Sequence, residues 1–208
     1  MFLNEDSFID FLSAKEVTWA GIDFSKAKFC RNGFDFPTEI IQYFFNEWNL
    51  LIISDQKKYD IRLSFRKPIL HYDLSYITKR NKTVKASSAV VDYISVENMY
   101  SEEEIIQYFA KLNLPQQTRF AISVLVEALD KNSKTAALWI VINDTMNKQV
   151  ILCEKFLKEP SGFNTKSYWA RTFYNLFFDI QKSSFVRWEN LVKNKQIQNT
   201  KHHQDVIS

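Results

Sequence analysis

The chain has 208 residues, enough for one domain with a complete core. Hydrophobic residues make up 46% of it, so apolar burial offsets the entropy of folding and an intrinsically disordered protein is excluded. With only three glycines the chain is a poor match for a glycine-rich phosphate loop, and a net charge of +3 does not by itself indicate nucleic-acid binding. The two cysteines, Cys30 and Cys153, rule out a disulfide framework or a Cys/His zinc site, although they could form one bridge.

Helical and strand periods alternate through the first half of the chain. Residues 6–16 have the spacing of a short amphipathic helix, and Val17–Phe24 alternates as a first strand. Pro37 is placed to open a helix that runs to about residue 53. We then expect a short helix at 59–67, a strand at 69–74, a polar loop at 78–87 and a strand at 88–96.

The second half of the chain has clearer signals. Ser101 and Glu104 form a capping-box pattern for a helix that reaches Leu112. Three apolar, β-rich runs follow from Phe120, separated by turns short enough for antiparallel hairpins. A long helix is predicted from Thr165, and the polar residues after it have no apolar period.

These elements predict one α/β (or α+β) domain over residues 1–193, followed by a flexible polar tail at 194–208. We expect a mixed or antiparallel sheet with a C-terminal three-stranded meander. About three to four helices should pack on that sheet.

The stretch "VTWAGIDFSKAKF" brings Asp23, Ser25 and Lys26 to the end of the first strand. Its "GIDFSK" is similar to the first-strand signature of RNase H-like transposases and resolvases, whose aspartate binds magnesium, and to the phosphate loop of actin-like ATPases. The first resemblance implies a metal-dependent nuclease that uses Asp23. In both families a hairpin follows, whereas here the strand leads to the Pro37 helix, so we interpret the stretch as a strand exit and keep the nuclease as an alternative.

Two further carboxylates, Asp35 and Glu39, are placed to reach the same end of the sheet as Asp23. Acidic residues near a helix start are also typical of caps and dipole partners. We predict no catalytic residue, no cofactor and no metal site. The candidate site for a ligand or partner comprises Asp23, Ser25, Lys26, Asp35 and Glu39.

Residues 55–85 carry a net charge of +6, and aromatic residues are interleaved with the basic ones. Such a mixture can hold phosphates and stack bases, although a solvated helix face with buried aromatics gives the same pattern. The candidate anion-binding residues are Lys57, Lys58, Arg62, Arg66 and Lys67. His71 is the one histidine before the tail, and no Gly-x-Ser-x-Gly motif is present to pair with it.

Three stretches, "VTWAGIDFSKAKF", "FFNEWNLLI" and "SGFNTKSYWARTFYNLFFDI", resemble a family of small uncharacterised proteins of Bacteroidetes-type bacteria. Many members are envelope proteins or lipoproteins, and the family supplies no catalytic residues. The order of elements is also similar, at the level of the fold, to the amino-terminal domain of TolB-like envelope proteins.

We therefore predict a non-catalytic binding or assembly module of a bacterial protein complex, with a protein partner or a second copy of the chain. Nucleic-acid or other polyanion binding through residues 57–85 is the alternative. No apolar run approaches the roughly 18 residues of a membrane span, and the acidic start "MFLNEDSF" does not match a signal peptide. A cytoplasmic location is expected if the chain is the full product, and an envelope location if a signal sequence was removed.

Overall fold

The computed structural model describes residues 4–30, 40–94 and 99–194. The predictions for Asp35, Pro37, Glu39 and most of the polar tail lie outside these residues. The strands of the one sheet are β1 (Glu16–Asp23), β2 (Lys28–Cys30), β3 (Ile69–Tyr72), β4 (Val90–Val91), β5 (Phe120–Asp130), β6 (Thr135–Asp144) and β7 (Gln149–Lys158).

Seven α-helices have both ends within the described residues. They are α1 (Glu5–Ser13), α2 (Phe45–Ser54), α3 (Ile61–Ser64), α4 (Ser75–Asn81), α5 (Ala86–Ala89), α6 (Glu102–Ala110) and α7 (Thr165–Asp179). A π-helical turn, Ile40–Phe44, precedes α2, and a second one, Ile180–Ser184, connects α7 to further helix at 185–194. The capping box predicted for α6 is confirmed, because Ser101 and Glu104 each bond the other's backbone.

The topology corrects the predicted fold class. The main path of the sheet runs β3-β1-β5-β2-β4, and every pair along it is parallel. β6 and β7 extend the sheet from the other edge of β5 as antiparallel neighbours. The expectation of a mixed or antiparallel sheet was therefore wrong, since the sequence gives no local sign that the distant strands β1 and β2 dock in parallel along β5. The predicted three-stranded meander is present as β5, β6 and β7. The expectation of one domain fits this single sheet.

The helix count and one loop also need correction. The structure has more than the three to four helices that we expected, because the segment predicted as a polar loop at 78–87 contains most of α4 and the start of α5. Of the strand predicted at 88–96, the described residues 88–94 contain only the two strand residues of β4. These short elements have too few residues for a periodic signal, so their contacts with the sheet decide their conformation.

Beside β5 the sheet has two rows, each made of two short strands placed end to end: β1 and β2 form the first row, and β3 and β4 the second. Both rows are interrupted at about the same height along β5. β1 pairs with Ala121–Leu125 of β5, and β2 continues along the same side of β5 at Ala128 and Leu129. In the next row β3 pairs with the start of β1, and β4 pairs with β2. The chain leaves the first row in a turn at 24–27 and leaves the second as α4 and α5, so a break opens between the two halves of the sheet.

Two asparagine side chains replace the missing strand beside the end of β1. β3 stops opposite Trp19, so the backbone groups of Ile22 and Phe24 have no strand neighbour on that side. Asn49 accepts a hydrogen bond from Ile22 N at 2.7 Å and donates to Ile22 O at 3.0 Å. Asn81 accepts from Phe24 N and donates to Ile22 O, both at 2.8 Å. Each carboxamide thus supplies the donor and acceptor of a peptide group.

Gly21 permits this close approach. Its φ of +110° lies where only glycine is unstrained, at the point where the β1–β5 register shifts. A Cβ at this position would stand 2.8 Å from Asn49 Oδ1 and 2.9 Å from Leu74 Cδ2. A side chain at residue 21 would therefore displace the asparagine that completes β1.

Helices cover both faces of the sheet. α1, α2, α7 and residues 185–194 bury the larger, aromatic-rich core that includes Trp19, Trp48 and Trp188. α4 and α6 cover the other face through Ile77, Ile105 and Phe109. β5 is buried along its whole length, as the apolar character of both its faces predicted.

We predict that Asn49→Ala destabilises the protein by about 1–3 kcal/mol, because it leaves the buried N–H and C=O of Ile22 with fewer partners. Urea denaturation measures this change. Asn46→Ala, an exposed position on the same helix, is the matched control and should stay within about 0.5 kcal/mol of wild type. Equal midpoints for the two variants would contradict the bridging role of Asn49.

Candidate functional site

The candidate site is a network of polar groups around Asp23, the last residue of β1. Asp23 is fully buried, and its Oδ1 accepts a hydrogen bond from Ser25 N at 2.8 Å. Its Oδ2 accepts from the Tyr108 hydroxyl at 2.6 Å and lies 3.8 Å from Arg80 Nε. Both carboxylate oxygens are thus engaged by groups of the protein itself.

Tyr108 is the centre of this network. Its hydroxyl oxygen accepts hydrogen bonds from Arg80 Nη2 at 2.6 Å and Arg80 Nε at 3.1 Å. The Ser25 hydroxyl lies 2.6 Å from the same oxygen. The exit of β1, the end of α4 and the last turn of α6 therefore meet at one phenol oxygen.

Lys26 adds a second cation to the site. Its ammonium lies 5.3 Å from the centroid of the Tyr108 ring and 5.6 Å from that of Tyr100, within cation–π range of both. The Arg80 guanidinium lies 5.1 Å from the Tyr108 centroid. Tyr100 also donates a hydrogen bond to Lys26 O at 3.2 Å, which fixes the turn after Asp23.

The burial of the network changes its titration. Burial, followed by the charge of Asp23, raises the pKa of Tyr108 well above that of a free phenol. Burial by itself lowers the pKa of Arg80, but Tyr108 and Asp23 more than offset this effect, and the net pKa is raised. At neutral pH the site therefore holds a neutral phenol and a permanently charged guanidinium.

The structure brings together part of the predicted site. Asp23, Ser25 and Lys26 are neighbours as expected, while Asp35 and Glu39 lie outside the described residues. The nuclease alternative required two further carboxylates beside Asp23, but the described groups that contact it are an amide, a phenol and a guanidinium. Within the described parts of the chain, no three His, Cys, Asp or Glu side chains are grouped as a metal site requires.

The sequence pattern does not indicate the two residues that organise the site. Arg80 lies in the basic segment without any sign of its contact with Asp23, and Tyr108 lies in an ordinary predicted helix. Contacts of this kind join residues 57 and 85 positions apart, so no local pattern reveals them. Asn49 did have a signal, since a carboxamide four residues after Phe45 and three before Ile52 interrupts an apolar helix face.

The basic segment does not present all of its cations to solvent. Lys67 is 2% exposed, and its ammonium donates to the carbonyls of Phe11, Leu12 and Ala14 at the end of α1. Burial lowers the pKa of Lys67 to about 8, so the amine is still mostly protonated at neutral pH. Its role is to satisfy the last carbonyls of a helix.

The other candidate anion-binding residues are exposed. Arg66 forms an ion pair with Glu189 at 2.6 Å, which occupies its charge. Lys57, Lys58 and Arg62 point to solvent. The aromatic neighbours Tyr59 and Phe65 are buried in the core, where they cannot stack on bases.

The remaining reactive side chains make structural contacts. His71 is partly exposed and lies 3.0 Å from Glu16 Oε2. Cys30 and Cys153 are both buried, and no disulfide bond joins them. Burial raises the pKa of Cys153 to about 12, which keeps it as an unreactive thiol.

Comparisons with known proteins give no family: no family model, no curated protein and no solved structure matches the chain. The resemblances to the Bacteroidetes-type family and to TolB-like domains therefore stay predictions. Among the described residues, no helix combines the length and the apolar character needed to cross a bilayer.

We predict that Tyr108→Phe lowers stability by about 2 kcal/mol at neutral pH, because it removes a hydrogen bond to a buried carboxylate. The wild type should also lose stability above about pH 10, where the unfolded tyrosine ionises while the folded Tyr108 stays protonated. In Tyr108→Phe this alkaline loss should be smaller. Urea unfolding between about pH 8 and pH 11 measures both effects, with the exposed Tyr43→Phe as control. Identical pH profiles for the two variants would contradict the assignment.

We further predict that Lys67→Met destabilises the protein by about 1–3 kcal/mol, because the α1 carbonyls lose a buried donor. Thermal and urea unfolding test this expectation. Lys57→Met removes the same charge from an exposed lysine of the same segment and should change stability by less than about 0.5 kcal/mol. A Lys67 variant as stable as wild type would show that the contact is dispensable.

Proposed function

We propose that the chain is a non-catalytic binding module of a protein assembly, and that the surface formed by Ser25, Lys26 and Arg80 binds an acidic group of its partner. The single observation that carries this proposal is that both carboxylate oxygens of Asp23 already accept hydrogen bonds from the protein. A carboxylate that already accepts bonds from Ser25 N and Tyr108 is suited to hold other side chains in position. We therefore assign Asp23 a positioning role.

The location of the surface supports binding. In open α/β sheets, ligands commonly occupy the crevice beyond the carboxyl ends of parallel strands. Asp23 ends β1, and the carboxyl end of the parallel strand β3 leads into α4, which carries Arg80. The break in the sheet thus brings a turn with two polar side chains next to a helix end.

The charges of the surface favour an anionic group. Arg80 and Lys26 supply two positive charges near the Tyr108 ring, against the one buried charge of Asp23. The Arg80 side chain is 31% exposed, so the guanidinium retains access to solvent. A planar guanidinium held by hydrogen bonds loses little entropy when it pairs with a carboxylate or a phosphate.

The alternatives have less support from the geometry. Nucleic-acid binding through residues 57–85 would use exposed cations, but Lys67 is buried and Arg66 is paired with Glu189. A nuclease that uses Asp23 would need its carboxylate free for a metal ion. The assignments to a bacterial complex and to the cell envelope rest on the sequence resemblance alone and are part of the proposal.

A titration of the full chain with a hexaglutamate peptide, followed by heteronuclear NMR, tests the proposal. We expect shifts centred on Ser25, Lys26 and Arg80, roughly millimolar affinity and weaker binding at high salt. Lys26→Gln should reduce the affinity at least about threefold, since a pair of this kind contributes a fraction of a kcal/mol or more. Inorganic phosphate serves as a second probe of the same surface.

Lys57→Gln is the charge-matched control, because it removes one exposed cation outside the proposed surface. It should bind the peptide like wild type. Equal losses for the two glutamine variants would show only general electrostatic attraction and would contradict the proposal. Salt-sensitive binding of single-stranded RNA that Lys57→Gln weakens and Lys26→Gln does not would instead favour the nucleic-acid alternative.

A further inference from the structure

A second concave site lies near the start of β5, away from the break in the sheet at which Asp23 lies. Asn143 pairs with Ala121 near the start of β5, whereas Asp23 pairs with Leu125. The cavity there has a volume of about 180 Å³ and lies between the exit of α6 and the β6–β7 turn. Phe109, Leu112 and Leu114 supply its apolar wall, and Asn143 lies on the sheet side.

Asn143 is the unusual group of this cavity. It is only 4% exposed, and its Oδ1 is buried without accepting a hydrogen bond from any described residue. Leaving a buried acceptor without a donor is costly, and native proteins rarely do so without a functional reason. An apolar side chain at this position would avoid that cost.

The polar groups around Asn143 are engaged, which makes the walls of the cavity rigid. The Thr145 hydroxyl lies 3.0 Å from both Thr118 O and Arg119 O and donates to them. Thr145 N donates to Arg119 O at 2.8 Å. The turn that carries this wall is therefore fixed before any ligand arrives.

The charge in the floor of the cavity is balanced. Asp144 is fully buried, and its Oδ2 accepts from Arg119 Nε at 3.0 Å and from Asn147 Nδ2 at 2.8 Å. Its Oδ1 accepts from the backbone of Met146 and Asn147. Lys148 stands at the edge with its side chain exposed. A neutral ligand therefore meets no unpaired charge inside.

We propose that this cavity binds a small neutral molecule that carries a carboxamide or imide group. The ligand's N–H donates to the carbonyl oxygen of Asn143, and its apolar part lies against Phe109, Leu112 and Leu114. An apolar cavity of about 150 Å³ holds benzene, so the volume here suits a single six-membered ring. The inference is independent of the acidic partner proposed above, because the two sites share no residue.

Saturation-transfer NMR of the full chain with uracil and with glutarimide tests the inference. Both are neutral rings with imide N–H groups, and benzoate is the charged probe of similar size. We expect saturation transfer and roughly millimolar or tighter binding for the two imides, and no specific transfer to benzoate. Failure of both imides to bind the unmodified chain, or equal binding of benzoate, would overturn the proposal.

Asn143→Leu separates a ligand site from a structural polar group. It should lower imide affinity at least about tenfold, which corresponds to the loss of one good hydrogen bond. Its melting temperature should equal or exceed that of wild type, because a buried acceptor without a donor is removed. Asn46→Ala, exposed and remote, is the control that should retain binding. Unchanged imide binding in Asn143→Leu would overturn the assignment, as would a crystal soaked with uracil that shows only solvent beside Asn143.

Discussion

The architecture depends on the hydrogen bonds that two asparagine side chains make to the backbone of β1, in the place of a neighbouring strand. β1 extends beyond its neighbour β3, and a bare strand edge in the interior would leave backbone groups without partners. Asn49 and Asn81 meet that requirement from two different helices. Because side chains make these hydrogen bonds, the backbone that follows β3 does not have to pair with β1. α4 can then stand where a strand would otherwise continue.

The polar network around Asp23 follows from that substitution. Asn81 closes the edge of β1, and the residue before it, Arg80, is thereby directed toward the buried carboxylate at the end of the strand. A buried carboxylate is tolerated when charges and hydrogen bonds compensate its lost hydration, and Tyr108 and Ser25 complete that compensation. The same contacts that stabilise the break leave Lys26 and one face of Arg80 beside solvent. The break in the sheet and the proposed binding surface thus depend on the same set of contacts around Asn81, Arg80 and Asp23.

Sequence patterns predicted the long elements and some short ones, such as α3 and β3, but not α4 and α5. The apolar runs of β5, β6 and β7, the helix from Thr165 and the capping box at Ser101 follow from local periodicity and are confirmed. The parallel path of the sheet, α4 and α5 depend on contacts between distant residues, so local patterns could not reveal them. Of the site, the sequence indicated Asp23 and its turn. Arg80 and Tyr108 required the fold, because only tertiary structure brings their helices to the end of β1.

From the divided rows of the sheet we expect two parts of unequal stability. Within the described residues, β5 is the parallel strand that spans both halves, pairing first with β1 and then with β2. On one side lie eight residues of β1 with the buried tryptophan core, and on the other lie three residues of β2 beside two of β4. Amide hydrogens of the smaller half should therefore exchange through local opening, while those of β5 opposite β1 exchange only on global unfolding. The turn at Ser25 and Lys26 stands at the boundary, so a ligand bound there would couple the opening of one half to the rigidity of the other.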